Sequence, residues 1–277
     1  MIISITHPDV WGVPLYPIFY FLGSFISLLL AFYVVHTKEN YRYVRYFDLM
    51  LAVWLSGVVG AKALALILTP SAIHKILSHG GWMQLLEGGY HLSGGILSGM
   101  LIFLFLVRRW KLPFWKSVHL LLWVALPGLA VGRMGCIFAG CCFGKVSVSE
   151  NFPILFQYDP HSYWALLSRG PRLPTQLFDL LGVFILAAGV WVPTSLRSWQ
   201  MSDFKRVGGL LSVVLMGFGA LRWIESFYRD ILSRTDSPVW GVYFSQWTAL
   251  FLLLLGAIVG IFWFWRNWGR NGDIYEV

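Results

Sequence analysis

The feature that most constrains this chain is an apolar run of bilayer-spanning length, and it recurs seven times. The runs cover residues 14–36, 46–69, 92–107, 117–136, 175–193, 207–229 and 243–265. A helix needs about 20 apolar residues to cross the hydrocarbon layer. With no water there to bond the backbone, only helices and closed barrels can span it. A barrel would show alternating segments of roughly ten residues, whereas these runs are unbroken. Composition agrees: 57% of the residues are hydrophobic and only 12% are charged. The expected architecture is an all-α integral membrane protein of about seven transmembrane helices, forming a single domain over residues 1–277.

The formal net charge of +8 does not point to nucleic acid, because the basic residues are dispersed between apolar runs. They instead alternate between loops. Lys38, Arg42 and Arg45 follow the first run, Arg109 and Lys111 the third, Arg197, Lys205 and Arg206 the fifth, and Arg266 and Arg270 the last. The intervening loops carry only Lys75 or Arg234, and nothing basic precedes the first run. Positive loops stay inside, which predicts an outside N-terminus and a cytoplasmic C-terminus. With no basic n-region and no small-residue cleavage site, the first run is expected to persist as a transmembrane helix. The connection 145–174 carries Arg169 and Arg172 against the alternation. Its length, prolines and aromatics predict a small extracytoplasmic cap.

Within this frame, residues 132–144 read Gly-Arg-Met-Gly-Cys-Ile-Phe-Ala-Gly-Cys-Cys-Phe-Gly. Arg133 arrives at the end of an apolar run, where a charge costs roughly 3 kcal/mol unless paired or wetted. Gly132, Gly135, Gly140 and Gly144 predict a break in the helix and offer backbone N–H groups to an anion. Tight helix packing beside a snorkelling arginine is the competing explanation. A second segment, 88–99, holds five glycines with His91 and Ser93 among them. Such a helix start can receive an anion, or it can simply pack closely.

Lys62, Arg133, Arg222, Glu225 and Arg229 fall within or beside predicted spans. Arg222, Glu225 and Arg229 share a helix face, so Glu225 can pair with either arginine. Arg133 and Arg222 outnumber the acids visible near them, and two planar guanidiniums suit a phosphate. His91 is a candidate general base. Three cysteines, Cys136, Cys141 and Cys142, are too few and too close for a disulfide framework. With His91 they offer zinc ligands, but their spacing is not a common ligand pattern, and no metal or other cofactor is expected.

These residues resemble the bacterial prolipoprotein diacylglyceryl transferases. Residues 132–144 resemble the family signature, which begins Gly-Arg-x-Gly and ends in Gly. The segment containing Ser93-Gly94-Gly95 is similar to its His-Gly-Gly element. Leu173-Pro174-Thr175-Gln176-Leu177-Phe178-Asp179 is similar to its His-Pro-Ser-Gln-Leu-Tyr-Glu element. The run from Phe218-Gly219-Ala220-Leu221-Arg222 to Arg229 resembles its late Tyr-Gly-x-x-Arg helix, and Tyr16 and Tyr20 match aromatic positions on its first helix. The resemblance implies transfer of the diacylglyceryl group of phosphatidylglycerol onto the lipobox cysteine of a preprolipoprotein. This would occur in the bacterial inner membrane, toward its outer face. It implies catalytic roles for Arg133, Arg222 and His91. Substrate binding falls to Tyr16, Ser93, Gly94, Gly95, Cys136, Gly144, Gln176, Glu225 and Arg229. Its expected partners are phosphatidylglycerol, the lipobox peptide and membrane lipids, with no nucleic acid. Several positions depart from the pattern: Ser93 stands where the family has histidine, with His91 two residues earlier. Cys136 and Ala139 replace asparagines, and Cys141 replaces an acid. Those departures keep a non-catalytic lipid-binding or lipid-translocating protein as the alternative, and, more weakly, a transferase with another acceptor in which a signature cysteine takes part covalently.

Overall fold

The computed structural model describes residues 2–5, 9–10, 13–37, 44–68, 90–147, 152–158, 170–196, 204–230, 238–239 and 241–268. Among these, seven helices are long and apolar enough to cross a membrane. They are α1 (Leu15–Thr37), α2 (Val44–Leu68), α3 (Leu92–Arg109), α4 (Phe114–Ala139), α5 (Thr175–Leu196), α6 (Phe204–Tyr228) and α7 (Phe244–Trp268). The expected seven-span architecture is therefore found. Short strands sit between them: β1 (Ile2–Ile5), β2 (Asp9–Val10), β3 (Val13–Pro14), β4 (Leu155–Tyr158), β5 (Pro238–Val239) and β6 (Val242–Tyr243). Strand β1 pairs with β4 in parallel, which ties the N-terminal residues to the described part of the expected cap.

Helix α4 is the centre. Its most apolar stretch is 56% buried, against a third or less in every other span. The outer helices turn large apolar side chains outward, among them Phe21, Phe25, Leu101, Phe105, Ile185, Ile258 and Phe262. Arg133, Asp179, Gln176 and Glu225 are buried inside. Lipid is as apolar as leucine, so close backbone approach holds such helices together rather than the hydrophobic effect. A Cβ at Gly128 in α4 would collide with Gly23 O and Ser27 Oγ of α1. Likewise, a Cβ at Gly94 in α3 would collide with Gly60 O of α2. A Cβ at Gly95 would stand 3.0 Å from Gly57 O, so close packing against α2 is what both glycines visibly do.

Pro127 interrupts α4 and cannot donate to the carbonyl four residues back. That carbonyl belongs to Trp123, and the indole N–H of Trp191 on α5 donates to it at 2.9 Å. The two indole rings stack with centroids 4.5 Å apart. A backbone group exposed by proline is thereby satisfied from the next helix, as hydrocarbon surroundings demand.

One sequence expectation needs correction here. The glycines after Val131 do not break the helix: α4 runs on through Gly132, Arg133 and Gly135 to Ala139. Its internal hydrogen bonds are worth too much at that depth to give up. The chain turns only at Gly140, whose φ of 65° is a left-handed conformation suited to glycine.

Candidate functional site: an arginine pocket beside three thiols

Arg133 lies in the last two turns of α4, Asp179 in the first turns of α5, and Arg222 and Glu225 near the end of α6. Asp179 Oδ2 forms an ion pair with Arg133 Nε at 3.0 Å and accepts a hydrogen bond from Arg222 Nη1 at 2.9 Å. Arg222 Nη1 also bonds Glu225 Oε2. The sequence count of acids was short by one: Asp179, the sole charged residue of its span, is the partner it missed. A carboxylate alone in an apolar run is itself a functional signal, and it was legible at the end of the Leu-Pro-Thr-Gln-Leu-Phe-Asp element. Glu225 pairs with Arg222, one of the two options left open.

Arg229 follows α6, held by a bridge between its backbone and Gly144. Among the described residues of this cluster three guanidiniums thus face two carboxylates, and with the neighbouring thiols protonated they leave one positive charge. A guanidinium has five N–H donors. Among the described residues Arg133 spends only Nε on an ion pair and Arg222 only Nη1. Donors remain for an incoming anion.

These arginines border one pocket. Its walls include Tyr90, His91 and Ser93 at the start of α3, Arg133, Cys142, Phe218, Arg222 and Arg229, and Ser245, Thr248, Ala249 and Leu252 of α7. His91 is buried and stands at the N-cap of α3, where its backbone N–H donates to Ala61 O at 2.9 Å. Its ring lies edge-on to Phe244. Five expected site residues, Arg133, Arg222, His91, Ser93 and Arg229, therefore converge on one cavity. Polar groups meet apolar α7 surface there, a combination that suits a lipid head group.

The remaining expected residues stand behind the wall. Glu225 supports Arg222. Gln176 is buried and donates through Nε2 to Cys141 O and to Tyr158 Oη, both at 2.8 Å. Gly144 packs against Leu173, where its N–H donates to Leu173 O at 3.1 Å. Cys136 is buried on α4. Gly94 and Gly95 lie in the α2–α3 contact. Tyr16 is in the first turn of α1, and its side chain lies outside the described residues, as do Gly88, Gly89 and His79.

Sequence reasoning did not anticipate how the three cysteines gather. They are unbridged, and their sulfurs lie within 4.8 Å of one another. Gly140 and Cys142, at φ 65° and 59°, coil the chain to bring this about. Thr175 Oγ1 donates to Cys142 O at 2.6 Å, and Gln176 holds Cys141 O. Arg229 Nη2 donates to Cys142 Sγ at 3.0 Å. Bonds from the thiols of Cys136 and Cys141, then Arg229 and Arg133, hold the Cys142 thiol well below its usual range. Cys141 is pushed well up by its bonds to Cys136 and Cys142 and by burial.

The fold and site together define a polytopic helical membrane protein with an arginine-lined pocket. More particularly, the chain belongs to the prolipoprotein diacylglyceryl transferase family, whose sequence model matches residues 4–263. It is 25% identical over 266 residues to phosphatidylglycerol--prolipoprotein diacylglyceryl transferase 2 of Clostridium perfringens, covering 91% of this chain and 92% of that one. It is 28% identical over 250 residues to the transferase of that name in Bordetella avium, covering 84% and 87%. With the Bordetella bronchiseptica protein it shares 27% over 207 residues, covering 74% and 73%.

Proposed function

We propose that this protein transfers the diacylglyceryl group of phosphatidylglycerol to the lipobox cysteine thiol of preprolipoproteins, forming a thioether and releasing glycerol phosphate. The observation that carries the reading is the pocket's surplus positive charge, presented by guanidinium donors not spent on Asp179 or Glu225. A phosphodiester carries one negative charge and accepts such forks. Arg133, Arg222 and Arg229 bind it and stabilise the charge that grows on the leaving phosphate. His91 takes the proton from the acceptor thiol. Ser93 borders the same space. Gln176 and Gly144 fix the loop after α4, and Glu225 aims Arg222. Gly94 and Gly95 seat the start of α3 against α2, and Cys136 anchors the thiol cluster. Tyr16 completes the set on α1.

The enzyme works in the bacterial inner membrane with its N-terminus outside. Residues 145–174 form an extracytoplasmic cap, and the pocket opens toward that side. The alternative, a lipid binder without catalysis, is not favoured, because the relatives over most of the chain are transferases by name. The test is transfer from labelled phosphatidylglycerol to a lipobox peptide by purified protein in detergent. A thioether product is expected, with at least tenfold loss in Arg222→Lys, which keeps the charge and loses the fork. Saturable phosphatidylglycerol binding without product would overturn the assignment.

A further inference from the structure

Three sulfurs within 4.8 Å of one another, one of them on the pocket wall, are more than the transferase chemistry above requires. The loop is built to keep them there. Cys142 occupies a left-handed φ of 59°, a conformation that costs a non-glycine residue of order 1 kcal/mol. Side chains from α5 hold both carbonyls, of Cys141 and of Cys142. Zinc bonds thiolate sulfur at about 2.3 Å, which places tetrahedral ligands about 3.8 Å apart. About an ångström of contraction brings the three sulfurs to that separation. Three thiolates around Zn²⁺ carry one net negative charge, and the Arg229 guanidinium 3.0 Å from Cys142 Sγ offsets it, leaving the unspent donors of Arg133 and Arg222 to hold the phosphate. Catalytic zinc sites have three protein ligands and an open fourth position.

We propose that Cys136, Cys141 and Cys142 hold a zinc ion whose fourth position takes the acceptor cysteine as a thiolate. The metal thereby activates the very sulfur that the reaction alkylates. This departs from the expectation of no metal, and it rests on the transferase reading for the identity of the acceptor. A thiol bound to zinc is deprotonated outright, so an ordinary peptide thiol becomes a nucleophile beside the arginines. The acceptor thiol displaces water from zinc, and its proton passes to His91. A sulfur lone pair then attacks the glyceryl carbon that bears the phosphate. The carbon–oxygen bond breaks, with its electron pair on the departing phosphate oxygen, and glycerol phosphate leaves as an anion against the arginines. The neutral thioether is a poorer ligand and leaves the metal. Nothing is oxidised or reduced.

The full chain, purified in detergent with reductant, is loaded with Zn²⁺, desalted and measured for metal. One zinc per chain is expected, held at least tenfold more weakly in Cys136→Ser and Cys141→Ser. The wild-type protein loaded with Co²⁺ is then titrated with lipobox peptide. Its thiolate-to-metal absorption should shift with the cysteine peptide and not with the peptide bearing serine there, a result that needs no folded variant. Wild-type protein that keeps no zinc, or a disulfide among the three cysteines after alkylation in intact cells, overturns the proposal. So does a Co²⁺ spectrum indifferent to the peptide. Full transfer after zinc is stripped sinks the zinc role and leaves the transferase standing. A peptide-dependent shift without lipid transfer supports the thiol-binding zinc site and sinks the transferase reading instead.

Discussion

Asp179→Asn separates the structural and ligand-binding roles of the arginine cluster. One carboxylate oxygen, Oδ2, receives both Arg133 and Arg222, and the residue is 1% exposed. Removing one partner of a buried ion pair costs about 3–5 kcal/mol, because the other charge is left uncompensated. Asparagine is nearly the same size and keeps one carbonyl acceptor, so the lower end applies. The expected loss in lipid-free micelles is about 3 kcal/mol, a shift of over a hundredfold in the unfolding equilibrium. The same substitution raises the surplus charge of the pocket from one to two. Phosphatidylglycerol should therefore stabilise the variant more than the wild type; a ligand at a hundred times its Kd contributes about 2.7 kcal/mol. Unfolding followed by circular dichroism, in micelles with and without phosphatidylglycerol, measures both quantities. A loss below about 0.5 kcal/mol, or equal stabilisation of the two proteins by the lipid, would refute the reasoning.

Three further outcomes are expected. His91→Ala should slow lipid transfer by about a hundredfold, the usual scale for a positioned base; an unchanged rate passes proton removal to another group. Gly128→Val should destabilise the protein by about 1–3 kcal/mol or more, since even its Cβ meets Gly23 O and Ser27 Oγ, and thermal unfolding measures this. In metal-free protein, iodoacetamide should label Cys142 ahead of Cys141, read by peptide mass spectrometry. The Cys142 thiol is held well below its usual range by bonds from Cys136 and Cys141 and then by Arg229, which favours the thiolate that iodoacetamide alkylates. Cys141, pushed well up by its bonds to Cys136 and Cys142 and by burial, should react more slowly.

The sequence by itself determined the membrane architecture, because an unbroken apolar run in hydrocarbon has one structural solution. Each of the seven expected spans meets its helix to within a few residues at either end. It also identified Arg133 and Arg222, since a charge in an apolar run stands out without any neighbour to explain it. Tertiary structure decided what those charges do. That one oxygen of Asp179 serves both arginines depends on α4, α5 and α6 meeting at one depth, and no spacing along the chain encodes that. The same holds for Gly94 and Gly95, which read equally as an anion cradle or a packing face until Gly60 and Gly57 were seen opposite them. The thiol cluster lies between the two cases. Its residues are adjacent in sequence, but the left-handed turns at Gly140 and Cys142, and the bonds from Thr175 and Gln176, are what turn three sulfurs toward one another. Hydropathy is a local property of the chain and can be read from it; convergence of polar groups from separate helices is a property of packing and cannot.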